Sequence, residues 1–80
     1  MMNFGEWARQ SVTKEGKTLA WLARQIGTNQ SLVSRWRSGS IPRTLYFLKT
    51  CSVIAKLQKR PVLEVIQEGA SCIGVSFDVD

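Results

Sequence analysis

The stretch from Thr18 to Gly39, TLAWLARQIGTNQSLVSRWRSG, is the part of this chain that most constrains its fold. It consists of two short amphipathic segments that meet at Gly27. Each segment carries its apolar residues on one helical face: Leu22, Ala23 and Ile26 in the first, and Val33 and Trp36 in the second. Such spacing indicates helices, and a glycine between them permits a tight turn. The stretch therefore predicts a helix-turn-helix.

Capping and breaking residues extend this prediction along the chain. Asn3, Thr18 and Asn29 are suited to cap three helices, and Pro61 fits the first turn of another. The predicted helices run from about Phe4 to Glu15, from the cap at Thr18 to Ile26, from the cap at Asn29 to Arg37, from Thr44 to Gln58, and from Pro61 to Glu68, where Gly69 ends the last one. The fold class predicted is all-α, a compact bundle of four to five helices.

The C-terminal stretch has a different period. Its apolar residues alternate with glycine or polar residues, and they are Ile73, Val75, Phe77 and Val79. This pattern predicts a β-strand. A lone strand lacks partners for its backbone groups, so we expect two copies to pair across a dimer axis and bury these four residues. A loosely docked or disordered tail is the alternative. The chain is divided accordingly into a helix-turn-helix domain, 1–69, and a dimerisation tail, 70–80.

Charge is segregated along the 80 residues, whose formal net charge is +5. All eleven lysines and arginines lie between Arg9 and Arg60, and Glu15 is the one acid in that interval. The four acids that follow, with no further base, are Glu64, Glu68, Asp78 and Asp80. A basic body of this kind favours contact with phosphates, so double-stranded DNA is the expected partner. Ordinary solvated surface charge is the alternative.

The composition argues against several other classes. The chain has no histidine, and Cys51 and Cys72 do not form a CxxC pair, so we expect no metal site, no cofactor and no catalytic residues. There is no signal-peptide stretch and no run of about 20 apolar residues. We therefore expect a cytoplasmic protein that does not enter membranes, with two reduced thiols.

The chain resembles the compact helix-turn-helix family of phage Cro proteins, phage repressors and related bacterial regulators. The matching residues are Leu22, Ala23, Gly27, the run TNQS that starts the third helix, Val33, Ser34, Arg35, Trp36, Gly39 and Pro42. The resemblance covers about Phe4 to Ala55 and implies operator binding by a symmetric dimer. Leu19, Trp21 and Arg37 depart from the usual family pattern.

The third helix carries the candidate base contacts, independently of the resemblance. If Val33 and Trp36 point inward, positions 30, 31, 34 and 35 point outward. The candidates are Asn29, Gln30, Ser31, Ser34 and Arg35. Gln30 can bond adenine in a bidentate fashion, and Arg35 can bond guanine in the same way. The alternatives are a purely capping role for Asn29 and a phosphate contact or surface ion pair for Arg35.

The flanking segments supply candidate phosphate contacts. Their basic and hydroxyl side chains are Lys17, Thr18, Arg37, Ser40, Arg43 and Thr44. Such groups position a protein on the DNA backbone and add affinity without sequence choice. Arg37 can instead turn away from DNA. Lys56, Lys59 and Arg60 are interpreted as a solvated face.

The function expected is sequence-specific regulation of transcription, by a Cro-like repressor that binds an inverted-repeat operator as a homodimer. The aromatic residues Trp7, Trp36 and Phe47 are expected in the core, whereas Trp21 marks a possible surface for a protein partner. An autoregulating antitoxin of a toxin–antitoxin pair is the nearest alternative. An interaction module that does not bind DNA is a further one.

Overall fold

The computed structural model describes residues 2–74, and these form a compact bundle of α-helices. The helices are α1 (Phe4–Thr13), α2 (Leu19–Ile26), α3 (Gln30–Arg37), α4 (Thr44–Gln58) and α5 (Val62–Ser71). No β-strand occurs within the described residues. The predicted all-α class and the five helices are confirmed.

Local capping sets where the first three helices begin. The side chain of Asn3 accepts a hydrogen bond from the Glu6 amide at 2.8 Å, and Thr18 accepts one from Trp21 at 3.1 Å. These bonds satisfy amides that have no partner inside a first helical turn. Gly27 ends α2 with a φ of 80°, which a residue with a side chain rarely adopts. The predicted limits of α2 and α3 therefore agree with the structure.

An aromatic cluster forms the centre of the core. The ring of Phe4 lies 5.3 Å from Trp7, 5.5 Å from Trp36 and 5.3 Å from Phe47, measured between ring centroids. All four side chains are buried. Because they belong to α1, α3 and α4, the cluster fixes α3 to the body of the bundle. The core role predicted for three of these aromatic residues is confirmed.

The predicted end of the fifth helix at Glu68 is wrong. Helix α5 continues through Gly69 to Ser71. A Cβ atom at Gly69 would lie 3.2 Å from the rings of Phe4, Trp7 and Phe47. This glycine therefore serves close packing against the aromatic cluster and does not end the helix.

The predicted tail strand overlaps the described residues only at its start. Ile73 lies in a turn after α5, not in a strand, and it packs against the core. Val75, Phe77 and Val79 lie outside the described residues. The division at residue 69 and the pairing of tails stay predictions.

The two cysteines are free, as predicted. Cys51 is fully buried in α4, and burial raises the pKa of its thiol to about 12. Burial also raises the pKa of Cys72. Both thiols are therefore protonated at neutral pH and weakly nucleophilic. Among residues 2–74, no helix has the length and apolar character needed to cross a membrane.

Candidate nucleic-acid interface

Helix α3 presents opposite kinds of side chain on its two sides. Val33 and Trp36 are 0% and 1% exposed, and they anchor the helix to the core. The outward side consists of exposed polar residues, namely Gln30, Ser31, Ser34 and Arg35. The structure thus brings four of the five predicted base-contacting residues onto one exposed surface, which we call the α3 polar face.

Asn29, the fifth predicted base contact, caps α3. Its side-chain oxygen accepts a hydrogen bond from the amide of Leu32 at 2.9 Å. The capping role weighed for this residue is therefore confirmed. Asn29 remains exposed beside Gln30, so its amide group also lies at the edge of the α3 polar face.

The start of α1 supports the end of α3. The side-chain amide of Asn3 donates a hydrogen bond to the carbonyl oxygen of Arg37 at 2.8 Å. At Gly5, a Cβ atom would overlap the backbone of Trp36 and Arg37. The absence of a side chain at this position lets the two helices approach closely. This support could not be predicted from the sequence, because Gly5 and Arg37 are far apart in the chain.

Arg37 is engaged with α1. Its Nε lies 3.3 Å from Oε2 of Glu6, and Glu6 also pairs with Arg9. The hydrogen bond from Arg9 lowers the pKa of the Glu6 carboxyl, and Arg37 adds to that effect. A phosphate contact by Arg37 would compete with this ion pair, although 46% of the arginine side chain stays exposed. Arg37 therefore points toward α1, and whether it turns away from DNA stays a prediction.

The loop after α3 folds back against that helix. The amides of Ser38 and Ser40 donate hydrogen bonds to the carbonyl oxygen of Arg35 at 3.0 and 3.1 Å. A shallow hollow of about 410 Å³ results, lined by Leu32, Arg35, Trp36, Ser40, Ile41, Pro42, Arg43 and Tyr46. Arg43 and Ser40, both predicted phosphate contacts, therefore lie next to Arg35. Leu32 and Tyr46 also line this hollow, and neither was predicted to do so.

The remaining predicted phosphate contacts are also exposed. Thr44 begins α4, directly after Arg43. At the start of α2, Thr18 acts as the cap and the Lys17 ammonium lies 5.3 Å from the ring centroid of Trp21. This cation–π contact covers part of Trp21, which is half-buried and packs against the core.

Cations outnumber acids in this region. The sequence contains no aspartate or glutamate from Gly16 to Leu63, so α2, α3, the following loop and α4 carry cations without acids of their own. Arg37 is paired with Glu6 of α1. A surface of hydroxyl, amide and guanidinium groups without carboxylates suits a polyanion.

No protein-family model, no curated protein and no solved structure matches this chain.

Proposed function

We propose that this protein is a sequence-specific DNA-binding regulator of transcription in the cytoplasm, and that α2 and α3 are its helix-turn-helix. In this proposal α3 enters the major groove and its polar face contacts base edges. The observation that carries it is the α3 polar face: four exposed hydrogen-bonding side chains on a helix whose opposite side is anchored in the core.

Individual residues have separate roles in this proposal. Gln30 suits adenine and Arg35 suits guanine, because each side chain matches two groups on the major-groove edge of that base. Ser31 and Ser34 are short, so they let the helix approach the bases closely. Arg43, Ser40 and Thr44 hold the phosphates beside α3, and Lys17 and Thr18 hold those near the start of α2.

The proposal includes a homodimer and repression by steric blockage. Eight residues of α3 cover a short half-site, and two copies would double the sequence that is recognised. Two α3 helices in successive major grooves lie about 34–36 Å apart, so the operator would be an inverted repeat with half-sites one helical turn apart. A dimer bound across a promoter would exclude the polymerase.

Selection from a random duplex library tests this proposal. The full chain should enrich one sequence with two-fold symmetry, and mobility shifts should then compare that duplex with a scrambled one. We expect Arg35→Ala to lose about 1–3 kcal/mol of discrimination per protomer at one base position. Lys56→Ala is the matched control, since it removes one exposed cation of α4 outside the α3 polar face.

Two results would contradict the proposal. One is that no sequence is enriched although the chain is folded. The other is that Arg35→Ala and Lys56→Ala weaken binding equally on selected and scrambled DNA, because this would make the contribution of Arg35 purely one of charge.

An antitoxin remains the second candidate, since it would use the same DNA-binding surface. An exposed Trp21 or an unpaired C-terminal tail would favour it. Trp21 borders a hollow of about 400 Å³ with Gln25, Val53, Lys56 and Leu57. Because Trp21 is half-buried and partly covered by Lys17, this surface gives the antitoxin less support than full exposure would.

A further inference from the structure

A second surface of the bundle is apolar and lies between the α3–α4 loop, α4 and α5. Its hollow has a volume of about 730 Å³ and is lined by Ile41, Pro42, Thr44, Phe47, Leu48, Leu63, Ile66, Gln67, Ala70 and Ile73. We call it the α4–α5 apolar face. Ile41, Leu48 and Leu63 on this face are 66%, 45% and 72% exposed. Large apolar side chains that lie together in water are typical of surfaces that bind a protein, a membrane or an apolar ligand.

The charge of the molecule restricts which partner fits this face. Among the described residues, no charged side chain lines the hollow, so the face cannot neutralise phosphates. A second copy of this chain carries the same net charge of +5, so two copies repel each other overall. An uncharged apolar face allows two such copies to meet without placing cations together. Depletion of charge is also typical of the core of protein interfaces.

The position of the face supports the same partner. Ile41 and Pro42 line both this hollow and the hollow that contains Arg35 and Arg43. The apolar face therefore borders the candidate nucleic-acid interface. A two-fold axis through the face would place one candidate nucleic-acid interface on each side of that axis, which is the symmetry that an inverted repeat requires.

The last described residues of the chain also lie at this face. Ile73 lines the hollow, and residues 75–80 follow after Gly74. Pairing of these tails, as predicted from the sequence, would thus extend an interface formed by α4 and α5.

We infer that the α4–α5 apolar face is the surface through which two copies of this protein associate. In its link to DNA this inference rests on the proposed function, because an inverted repeat needs a symmetric dimer. The association itself does not require DNA. Leu63 and Leu48 are the central contacts, since α5 and α4 present them from the two sides of the hollow.

Sedimentation equilibrium of the full chain without DNA tests the inference. We expect the wild-type chain to dimerise and Leu63→Lys to raise the dimer dissociation constant at least about tenfold, because each dimer loses two leucines and gains two cations. Met2→Lys is the matched control: it adds the same charge at an exposed apolar residue that does not line this hollow. The high exposure of Leu63 means that its replacement should leave the helical circular dichroism unchanged.

A substitution in the C-terminal tail shows whether the α4–α5 apolar face or the tail makes the main dimer contact. We expect Phe77→Ser to weaken the dimer less than Leu63→Lys does. A wild-type chain that stays monomeric at every concentration would overturn the inference. So would a dimer that Phe77→Ser dissociates and Leu63→Lys leaves intact.

The same variants distinguish failure of the inference from failure of the proposed function. If Leu63→Lys is monomeric but still selects the half-site sequence, both stand. If the wild-type chain dimerises through this face and selects no DNA sequence, the interface stands and the proposed function fails. Selective DNA binding by a wild-type dimer that Leu63→Lys leaves unaffected would refute the interface alone.

Discussion

Two glycines that lie inside helices, Gly5 and Gly69, have different surroundings. A Cβ atom at Gly5 would overlap the backbone of Trp36 and Arg37, which no side-chain rotation can relieve. A Cβ atom at Gly69 would meet only aromatic side chains, at 3.2 Å. The position of α3 therefore depends on the missing side chain at Gly5.

We expect Gly5→Ala to lower the free energy of unfolding by about 1–3 kcal/mol, because α1 and α3 must move apart. Urea unfolding followed by circular dichroism measures this loss. Gly69→Ala is the control and should keep a stability close to that of the wild type. Alanine is favoured over glycine inside a helix by about 1 kcal/mol, and this gain offsets the tight contacts of its Cβ atom with the aromatic rings. If Gly5→Ala were as stable as the wild type, the prediction would be wrong, because the end of α3 could then move away from α1 without loss of stability.

At the scale of helices, an ion-pair cluster joins α5 to α1 and to the preceding turn. Nη2 of Arg60 lies 2.8 Å from Oε1 of Glu64, and Arg60 also pairs with Glu68. Nε1 of Trp7 donates a hydrogen bond to Oε1 of Glu68 at 3.4 Å. The hydrogen bond from Arg60 lowers the pKa of the Glu68 carboxyl, and the bond from Trp7 adds to this.

The lowered pKa of Glu68 predicts a loss of stability in acid. A carboxyl whose pKa is lower in the folded state stabilises the protein above its unfolded pKa, and that stabilisation disappears as the pH falls through the folded pKa. We therefore expect the wild-type stability to decrease below about pH 4.5, the ordinary value. In Glu68→Gln the loss of stability on acidification should be smaller than in the wild type, because the variant is already less stable than the wild type at pH 7.

Urea unfolding between pH 7 and acid measures this difference. Glu15→Gln serves as the control, since Glu15 forms no ion pair among residues 2–74. The role of Glu68 is refuted if both variants keep the pH dependence of the wild type.

The helices whose limits agree with the sequence are those with local signals. Thr18 and Asn29 bond amides three residues ahead, and Gly27 adopts its positive φ within the turn itself. Each of these interactions is encoded within a few neighbouring residues. The end of α5 differs because Gly69 packs against aromatic rings of α1 and α4, which lie far away in sequence. A glycine read locally as a helix end is in fact a packing residue.

At the scale of the molecule, the α3 polar face follows from the sequence and the α4–α5 apolar face does not. Burial of Val33 and Trp36 fixes the outward side of a short helix, so the exposure of Ser34 and Arg35 could be predicted. The spacing of Leu48 in α4 resembles that of a core residue, yet Leu48 lines this face and is 45% exposed. Its environment depends on how α5 is placed against α4, and no local pattern encodes that.

The excess of cations from Gly16 to Leu63 predicts that DNA binding depends on the salt concentration. Each phosphate contact releases counterions, so the logarithm of the binding constant falls with the logarithm of salt concentration by about 0.9 per contact. Arg43 lies beside Arg35 in one hollow and, in our proposal, contacts a phosphate. We expect Arg43→Ala to reduce the steepness of this salt dependence by about 1.8 for a dimer, with base preference unchanged.

Lys56→Ala is the control for this prediction. It removes one cation from α4, so it has the same net charge as Arg43→Ala, and it should leave the slope near that of the wild type. Fluorescence anisotropy with the selected duplex across a salt series measures both slopes. Equal slopes for the two variants would mean that Arg43 contributes through overall charge and does not lie against the DNA backbone.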